Sequence, residues 1–207
     1  MNYYTLNSET LRGRYNALNP DDVHRAWCHL LPLESGMACD IGAGTGRDAA
    51  WLASKGWGVI AVEPNPELRS LGEQFTSETS ASAAVTWLDD QLPELEALCA
   101  TKQHFDLILI SAVWMHLPPR QHEQAMNIVS GLLNLGGLLV ITLRHGPDEA
   151  ERFYPANAEN LVSLAQQKTL ACRIFTRTPD LWRSEVEWDI LTFQSSQSDD
   201  LRGTLTP

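Results

Sequence analysis

Short apolar runs alternate with helical patterns along most of the chain. The apolar runs are expected to form strands, and they cover residues 37–40, 58–62, 84–88, 105–110, 138–143, 172–177 and 186–193. Residues 105–110 form a continuous apolar run, which is typical of a strand buried on both faces of a parallel sheet. In residues 186–193 polar and apolar side chains alternate, which predicts an antiparallel strand at the sheet edge. The whole pattern predicts an α/β domain built on a doubly wound, mostly parallel sheet.

Helices are expected between these strands, at residues 47–55, 67–75, 92–100, 120–133 and 157–167. Another helix is expected to begin after Asn19, which can cap it, and to run to about residue 31. Gly136 and Gly137 are expected to end the 120–133 segment, because glycine accepts the left-handed cap conformation. Three parts of the chain follow: a short helical N-terminal segment at 1–35, the α/β domain at 36–194 and a mobile tail at 195–207.

The stretch 37–69 reads as a strand, a turn, a helix and a second strand, with an acid at the tip of each strand, Asp40 and Glu63. Its turn carries glycine at every second position, a spacing that lets a ligand approach the main chain, and these residues are Gly42, Gly44 and Gly46. Arg47 stands where the dinucleotide fingerprint G-x-G-x-x-G has its last glycine, and it is expected to pair with Asp48 or Glu63 rather than to act in catalysis. The acid at Asp40 suits a ligand with a positive charge, such as a sulfonium or an amino group. The spacing from the turn to Glu63 suits an acid that reaches a ribose hydroxyl.

The run 38–46, taken with Glu63 and Asp89, resembles the class I S-adenosylmethionine-dependent methyltransferases. The resemblance extends over roughly residues 36–194 and implies a Rossmann-like sheet of seven strands, the last of them antiparallel. It implies that the glycine turn packs against the methionine part of the cofactor, that Asp40 lies near the amino group and that Glu63 binds the ribose hydroxyls. The full set of implied cofactor contacts is Asp40, Gly42, Ala43, Gly44, Gly46, Glu63, Pro64, Leu88, Asp89 and Ser111.

The resemblance also places the adenine ring. It implies that Asp89 lies near the adenine amino group and that Pro64 and Leu88 flank the ring. Members of this family often use an N-terminal segment as a lid over the cofactor, so residues 1–35 are either such a lid or a loosely packed arm. The alternative for the glycine turn is a connection between strand and helix that binds nothing.

The residues that follow the fourth and fifth strands are candidates for the acceptor side of the site. By the resemblance, the segment 111–117 borders both cofactor and acceptor. His116 is a candidate general base, because histidine titrates near neutral pH, or else a packing residue. Trp114 is either a wall of the acceptor pocket or a core aromatic. Arg144 is either a clamp for a carboxylate or phosphate or a solvated side chain, and His145 is a second candidate base.

Composition and absent motifs narrow the class of acceptor. A net charge of −11 disfavours binding to a phosphate backbone, so nucleic acid is an unfavourable partner. Neither [DNS]-P-P-[YFW] after the fourth strand nor a Pro-Cys nucleophile motif is present, so the sequence lacks two signatures of base methylation. The histidines at the strand tips have no acid at ligand spacing, and no metal site is expected.

The cysteines and the hydropathy of the chain bear on its location. The four cysteines are scattered without a C-x-x-C pair, which fits a reducing, cytoplasmic environment rather than a disulfide framework. No apolar run approaches the ~18 residues of a membrane-spanning helix, and no signal peptide is visible.

The sequence therefore predicts an enzyme that passes the methyl group of S-adenosylmethionine to an N, O or S atom of a small molecule. The alternative is a non-catalytic subunit that binds S-adenosylmethionine and regulates or supports a partner, because a fold does not guarantee chemistry. An NAD-dependent oxidoreductase is disfavoured by Asp40 and Arg47. No pattern in the sequence specifies the acceptor or the oligomeric state.

Overall fold

The computed structural model describes residues 3–79, 84–148 and 153–195. They contain one seven-stranded sheet, formed by β1 (Met37–Ile41), β2 (Gly58–Val62), β3 (Val85–Leu88), β4 (Phe105–Ile110), β5 (Leu133–His145), β6 (Leu170–Pro179) and β7 (Glu187–Ser195). The strand order is β3-β2-β1-β4-β5-β7-β6, in which β1 to β5 pair in parallel and β7 is antiparallel to both of its neighbours. The order changes direction between β1 and β4, which is where open α/β sheets bind their ligands.

Helices cover both faces of this sheet. The helices are α1 (Tyr3–Leu6), α2 (Ser8–Asn16), α3 (Pro20–Val23), α4 (Arg47–Ser54), α5 (Pro66–Thr79), α6 (Glu96–Ala100), α7 (His122–Gly131) and α8 (Ala158–Gln166). Apolar side chains of α6, α7 and α8 pack into the core on one face, and those of α4 join the core on the other face. No helix among the described residues is long and apolar enough to cross a bilayer.

The predicted fold class is confirmed: the sheet is doubly wound, mostly parallel and seven-stranded, and short helices precede it. Strands β2 and β4 begin and end at the predicted residues. Both are short apolar runs bounded by polar or glycine residues, so the limits of burial and of the strand coincide.

The prediction that residues 186–193 form an edge strand is wrong. Strand β7 lies between β5 and β6, and the edge is β6. Two polar residues of β7 that suggested an exposed face, Asp189 and Thr192, are buried at 1% and 0% exposure. Asp189 is buried because Arg177 and His145 pair with its carboxylate, a long-range contact that the alternation of residue types does not reveal.

Two predicted helices are shorter in the structure. The helix expected after Asn19 ends at Val23 and is followed by a separate 3₁₀ turn over Cys28–Leu30, although Asn19 does cap it, accepting from the Asp21 N–H at 3.1 Å. The helix expected over 92–100 is reduced to α6, because Leu95 adopts a left-handed conformation with φ at +48°.

The role predicted for the glycine pair after α7 is also wrong. Helix α7 ends at Gly131, and Gly136 lies inside β5 with φ at +78°. The pairing of β4 with β5 shifts register between Phe105 and Leu107, across the part of β5 that contains this glycine. Strand β5 therefore begins earlier than the apolar run indicates, with an irregular first part.

The predicted tail at 195–207 lies, apart from Ser195 at the end of β7, outside the described residues.

Replacing Gly72 by alanine tests the packing of α5 against β3. A Cβ atom on Gly72 would lie 2.2 Å from the ring of Trp87, whose indole N–H is fixed by a 3.1 Å bond to Thr76. We expect Gly72→Ala to lower the free energy of unfolding by about 1–3 kcal/mol, the usual cost of overpacking, as measured by urea denaturation. The control is Gly13→Ala in α2, where no atom lies within 4 Å of the added carbon. It should be neutral or stabilising, and equal destabilisation by both variants would contradict this packing.

Candidate cofactor and acceptor site

The tips of β1 and β2 are joined by the carboxylate of Glu63. One of its oxygens accepts from the Gly44 N–H and the other from the Asn65 N–H, both at 2.9 Å. Each carboxylate oxygen can accept a second hydrogen bond, so both retain capacity toward a ligand hydroxyl. Burial raises the pKa of Glu63, and the two N–H bonds oppose that rise. The acid predicted to reach a ribose is therefore held in place by the glycine turn itself.

The glycine turn leaves one position open. It is anchored to β2, because the N–H groups of Gly42 and Ala43 both donate to the Val62 carbonyl, at 2.8 and 3.0 Å. Gly42 has φ at +75°, and a Cβ atom there would lie 2.3 Å from Val113. Gly44 has φ at +57°, but no atom lies within 4 Å of the position its Cβ would take. The turn thus offers bare main chain and free space beside Glu63, which fits a ligand that packs on the backbone.

Asp40 lies beneath this turn with a carboxylate that is 1% exposed. Burial, and then the charge of Asp48, raise the pKa of Asp40 well above its usual range. Among the described residues, no group donates a hydrogen bond to its Oδ2 atom. A positively charged group bound at the turn would favour the ionised form of this acid. This buried acid fits the amino and sulfonium groups of S-adenosylmethionine better than a pyrophosphate.

The first turn of α4 carries a buried ion cluster that the sequence suggested only in part. Arg47 was expected to pair with Asp48 or with Glu63, and it forms two 2.7 Å bonds with Asp48. His24, which the sequence did not single out, lies 2.9 Å from the same carboxylate through Nε2. Burial alone would raise the pKa of Asp48, but the charges and hydrogen bonds of Arg47 and His24 lower it far below its usual range. The cluster fixes the chain after α3 to the helix that follows the glycine turn.

The N-terminal helices bond to the loops that follow β1 and β2. Thr5 of α1 accepts from the Asn65 amide at 2.9 Å, and Asn16 of α2 accepts from the Thr45 hydroxyl at 2.8 Å. Asn65 is the residue whose N–H holds Glu63. The two N-terminal helices therefore contact the glycine turn and the start of α5 directly.

The residues expected to frame the adenine ring are spread over the tips of β2 and β3. Pro64 is exposed and Leu88 is half-buried. Asp89 is exposed and bonds to Arg69 at 3.0 Å. Arg69 also donates to the Glu63 carbonyl at 2.6 Å, so it links the two strand tips. No pattern in the sequence indicates this role.

Beyond the ends of β4 and β5, where the acceptor is predicted to bind, aromatic and basic side chains form a row. The hydroxyl of Tyr4 lies 2.9 Å from His116 Nε2. The His116 ring packs edge-on against Phe153, with 5.0 Å between ring centroids. The guanidinium of Arg144 lies 5.4 Å from the same Phe153 centroid. Ser111, at the end of β4, is half-buried. The structure thus brings together His116 and Arg144, with Phe153 between them.

Trp114 is not part of this row. It is 1% exposed and lies in the core cluster on the α7 face, with its ring 5.3 Å from that of His122. Of the two expectations for this residue, the structure favours the core aromatic over the wall of the acceptor pocket.

The second candidate base, His145, lies at the end of β5. Its Nε2 atom is 2.7 Å from Asp189, and Asp189 also receives two bonds from Arg177, at 2.6 and 2.9 Å. Burial alone would raise the pKa of Asp189, but the bonds from Arg177 and His145 lower it.

Within the described part of the chain no group of three or more histidine, cysteine or acidic side chains is arranged to hold a metal.

Comparisons with known proteins show similarity to methyltransferases. Residues 38–137 match a family model described as a methyltransferase domain. An uncharacterized methyltransferase of Alkaliphilus oremlandii is 26% identical over 114 residues, which are 52% of this chain and 45% of that protein. The chain spans about half the length of the curated relatives that it matches.

Two solved structures share the fold over nearly their full length. Magnesium protoporphyrin IX methyltransferase from Synechocystis PCC 6803 with bound SAM has a TM-score of 0.72 at 16% identity, and the match covers 93% of this chain and 94% of that one. The 1,6-didemethyltoxoflavin-N1-methyltransferase of Burkholderia thailandensis has a TM-score of 0.63 at 19% identity, covering 95% and 92%. Residues 38–137 therefore match a methyltransferase domain, and the chain shares the fold of these two methyltransferases.

Asp48→Asn tests the ion cluster below the turn. Removing the charge leaves Arg47 and His24 without their buried partner, so we expect a loss of about 3–5 kcal/mol in the free energy of unfolding at pH 7. Because the pKa of Asp48 is lower in the folded state, its contribution is present above about pH 4 and is lost as the pH falls further. Denaturant titrations from pH 7 to pH 3 should therefore show a smaller pH dependence for the variant.

The matched control for that experiment is Glu9→Gln, which breaks the solvent-exposed pair between Glu9 and Arg12. It should change stability by less than about 1 kcal/mol, since exposed ion pairs contribute little. A similar loss in both variants would mean that the buried cluster has no special role.

Proposed function

We propose that this protein is a methyltransferase that uses S-adenosylmethionine and acts on a small-molecule acceptor. The observation that carries the proposal is the carboxylate of Glu63, bonded to the N–H groups of Gly44 and Asn65 beside an open main-chain position. That arrangement provides an acceptor for ribose hydroxyls next to bare backbone, which is what this cofactor requires. The family match supports it independently.

The residues that would hold the cofactor come from three strand tips. Gly42, Ala43 and Gly44 would face its methionine part, with Asp40 beneath them, and Glu63 would hold the ribose. Pro64, Leu88 and Asp89 would face the adenine, and Ser111 would border the reacting end. When bound, S-adenosylmethionine supplies a methyl group on a sulfonium, which is a good leaving group.

The contribution of the chain is then alignment of the acceptor and exclusion of water. The N-terminal helices are suited to both, because they bond to the cofactor side through Thr5 and Asn16 and to the acceptor side through Tyr4. A segment that contacts both the cofactor side and the acceptor side can close over the two substrates together. We therefore assign residues 1–35 as a lid.

The acceptor side favours a small molecule. The row formed by Tyr4, His116, Phe153 and Arg144 presents aromatic rings and one fixed guanidinium, a surface suited to a compact, partly aromatic acceptor. The net charge of −11 opposes a polyanion. The Burkholderia enzyme of the same fold is a precedent, since its structure holds 1,6-didemethyltoxoflavin.

A base is needed only if the attacking atom of the acceptor carries a proton at neutral pH. Two imidazoles at the sheet edge can serve, His116 and His145. They differ in their partners: His116 bonds to a phenol hydroxyl of the lid, and His145 bonds to a buried carboxylate.

Glu63→Ala tests the cofactor site. Loss of the carboxylate removes the acceptors for the ribose, so we expect binding of S-adenosylmethionine to weaken by about 1.5–3 kcal/mol, on the order of 10- to 150-fold in Kd. Isothermal titration calorimetry measures this directly. The control is Glu73→Ala, an exposed acid of α5, which should bind as the unchanged protein does. No binding by the folded unchanged protein would overturn the proposed function.

Tyr4→Phe tests the lid. It removes only the hydroxyl that bonds to His116, and we expect opening of α1 and α2 to become easier by about 0.5–1.5 kcal/mol. Hydrogen exchange of the α1 and α2 amides in the presence of S-adenosylhomocysteine should accelerate by roughly 2- to 10-fold. Tyr154→Phe, which alters an exposed ring outside the lid, should leave this protection unchanged. Equal exchange in all three proteins would show that Tyr4 does not hold the lid closed.

A further inference from the structure

Ala112 lies between the end of β4 and His116, and its backbone is strained. It follows Ser111 and has φ at +60°. The left-handed region is unfavourable for a residue with a Cβ atom, and alanine has no polar side chain to stabilise it locally. The other non-glycine residues with positive φ among those described lie at the ends of α6 and α8, and they are Leu95, Lys102 and Thr169. Strain of this kind persists only where the surrounding structure imposes it, and it is frequent at functional sites.

A hydroxyl group of the neighbouring strand holds Ala112. The Ala112 N–H donates to Thr142 Oγ1 at 2.9 Å. Thr142 lies within β5, which pairs in parallel with β4, and it is 8% exposed. Loss of this hydroxyl would leave a partly buried N–H unpaired unless the chain moved. The conformation of Ala112 is therefore tied to one side chain of an interior strand of the sheet.

The residue after Ala112 packs on the glycine turn. A Cβ atom on Gly42 would lie 2.3 Å from Cγ2 of Val113, so Val113 occupies the space that the missing side chain leaves. At Gly44, by contrast, the corresponding space is open. The turn that is proposed to face the methionine part of the cofactor is thus supported by the chain that follows β4.

The same segment carries His116. Residues 114–116 form a 3₁₀ turn, and the His116 N–H donates to the Val113 carbonyl at 2.8 Å. Trp114 fixes this turn in the core, where it is 1% exposed. Since Trp114 is fixed, the path of the chain from β4 to His116 is determined at Ala112.

We propose that Thr142 is a positioning residue of the site, which acts through Ala112 on both the glycine turn and His116. The inference rests on the proposed function. Thr142 Oγ1 keeps Ala112 in the left-handed conformation, and this conformation keeps Val113 against Gly42. Without the hydroxyl, Ala112 relaxes to a negative φ and Val113 withdraws from the turn. The cofactor then binds less tightly, although no residue that would touch it has changed.

The combination of an alanine with a threonine hydroxyl specifies one arrangement of the segment. Glycine at position 112 would adopt the left-handed conformation without strain, but it would also adopt many others. Alanine has fewer accessible conformations, so one hydrogen bond is sufficient to select the one that the site requires. A segment that is ordered in advance lowers the cost of binding a ligand.

The first test replaces the hydroxyl alone. Thr142→Val puts a methyl group in its place, and we expect the Kd for S-adenosylhomocysteine to rise by roughly 2- to 10-fold, the usual effect of one hydrogen bond. Isothermal titration calorimetry measures the Kd, and amide exchange of residues 112–116 should accelerate in the same variant. Thr142→Ser keeps the hydroxyl and should bind as the unchanged protein does. Equal weakening in both variants would overturn the inference, because the hydroxyl would then have no special role.

The matched control is Thr192→Val in β7. Thr192 is 0% exposed, and its hydroxyl has no hydrogen-bond partner within the described parts of the chain. The same chemical change at this residue should leave both the Kd and the exchange of residues 112–116 unaltered. A rise in Kd equal to that of Thr142→Val would overturn the inference, since any change inside the sheet would then weaken binding.

The second test separates positioning from packing. Adding Ala112→Gly to Thr142→Val removes the Cβ atom that makes a positive φ unfavourable, so we expect the Kd to return to within about 2-fold of that of the unchanged protein. A purely structural role of Thr142 would not be relieved by a change at another residue. Absence of any recovery would therefore overturn the inference.

Amide exchange of the unchanged protein tests the bond itself and needs neither a variant nor a ligand. The Ala112 amide should be protected, and an unprotected amide would overturn the inference even if Thr142→Val failed to fold. No binding of S-adenosylhomocysteine by the folded, unchanged protein would instead overturn the proposed function, so the two failures are distinguishable.

Discussion

The site depends on one buried carboxylate. Glu63 ends β2, and its two oxygens bind the N–H of Gly44 in the turn after β1 and the N–H of Asn65 before α5. Because each bond fixes the backbone of a different loop, a single side chain sets the spacing between the turn and the next helix. Burial of a charged group is costly unless it is hydrogen-bonded, and here the partners are backbone donors that would otherwise be unpaired.

The N-terminal helices extend this arrangement across the sheet edge. Asn65 connects Glu63 to Thr5, and Tyr4 of the same helix connects to His116 beyond β4. One short segment therefore contacts residues assigned to the cofactor and residues assigned to the acceptor. In a transfer reaction both must be in place before water is excluded, and the proposed lid, which bonds to both sides, would meet that requirement.

The sequence offers two candidate bases, His116 and His145, and the structure shows that they have different hydrogen-bond partners. His145 is held by Asp189, which is fixed in turn by Arg177, and the three residues come from three strands. Asp189 is one of the polar residues in the alternating pattern that predicts an edge strand. That pattern placed β7 wrongly, because Asp189 is buried and orients the ring of His145. A polar residue within an apolar strand can thus indicate a partner across the sheet as well as exposure.

The sequence by itself determined the order of elements, the doubly wound sheet and the glycine turn with its acids, because these depend on local periodicity and on residues close together in the chain. Arg47 pairs with its chain neighbour Asp48, one of the two acids predicted for it. Only the tertiary structure decided the place of β7, the burial of Trp114, and the contacts of Tyr4 with His116 and of Asp189 with His145. Tyr4 and His116 are 112 positions apart in the chain, and His145 and Asp189 are 44 positions apart. Tyr4 meets His116 because the sheet brings distant segments to one edge, and Asp189 meets His145 because β7 pairs with β5 in antiparallel register. No local pattern specifies which side chains then meet.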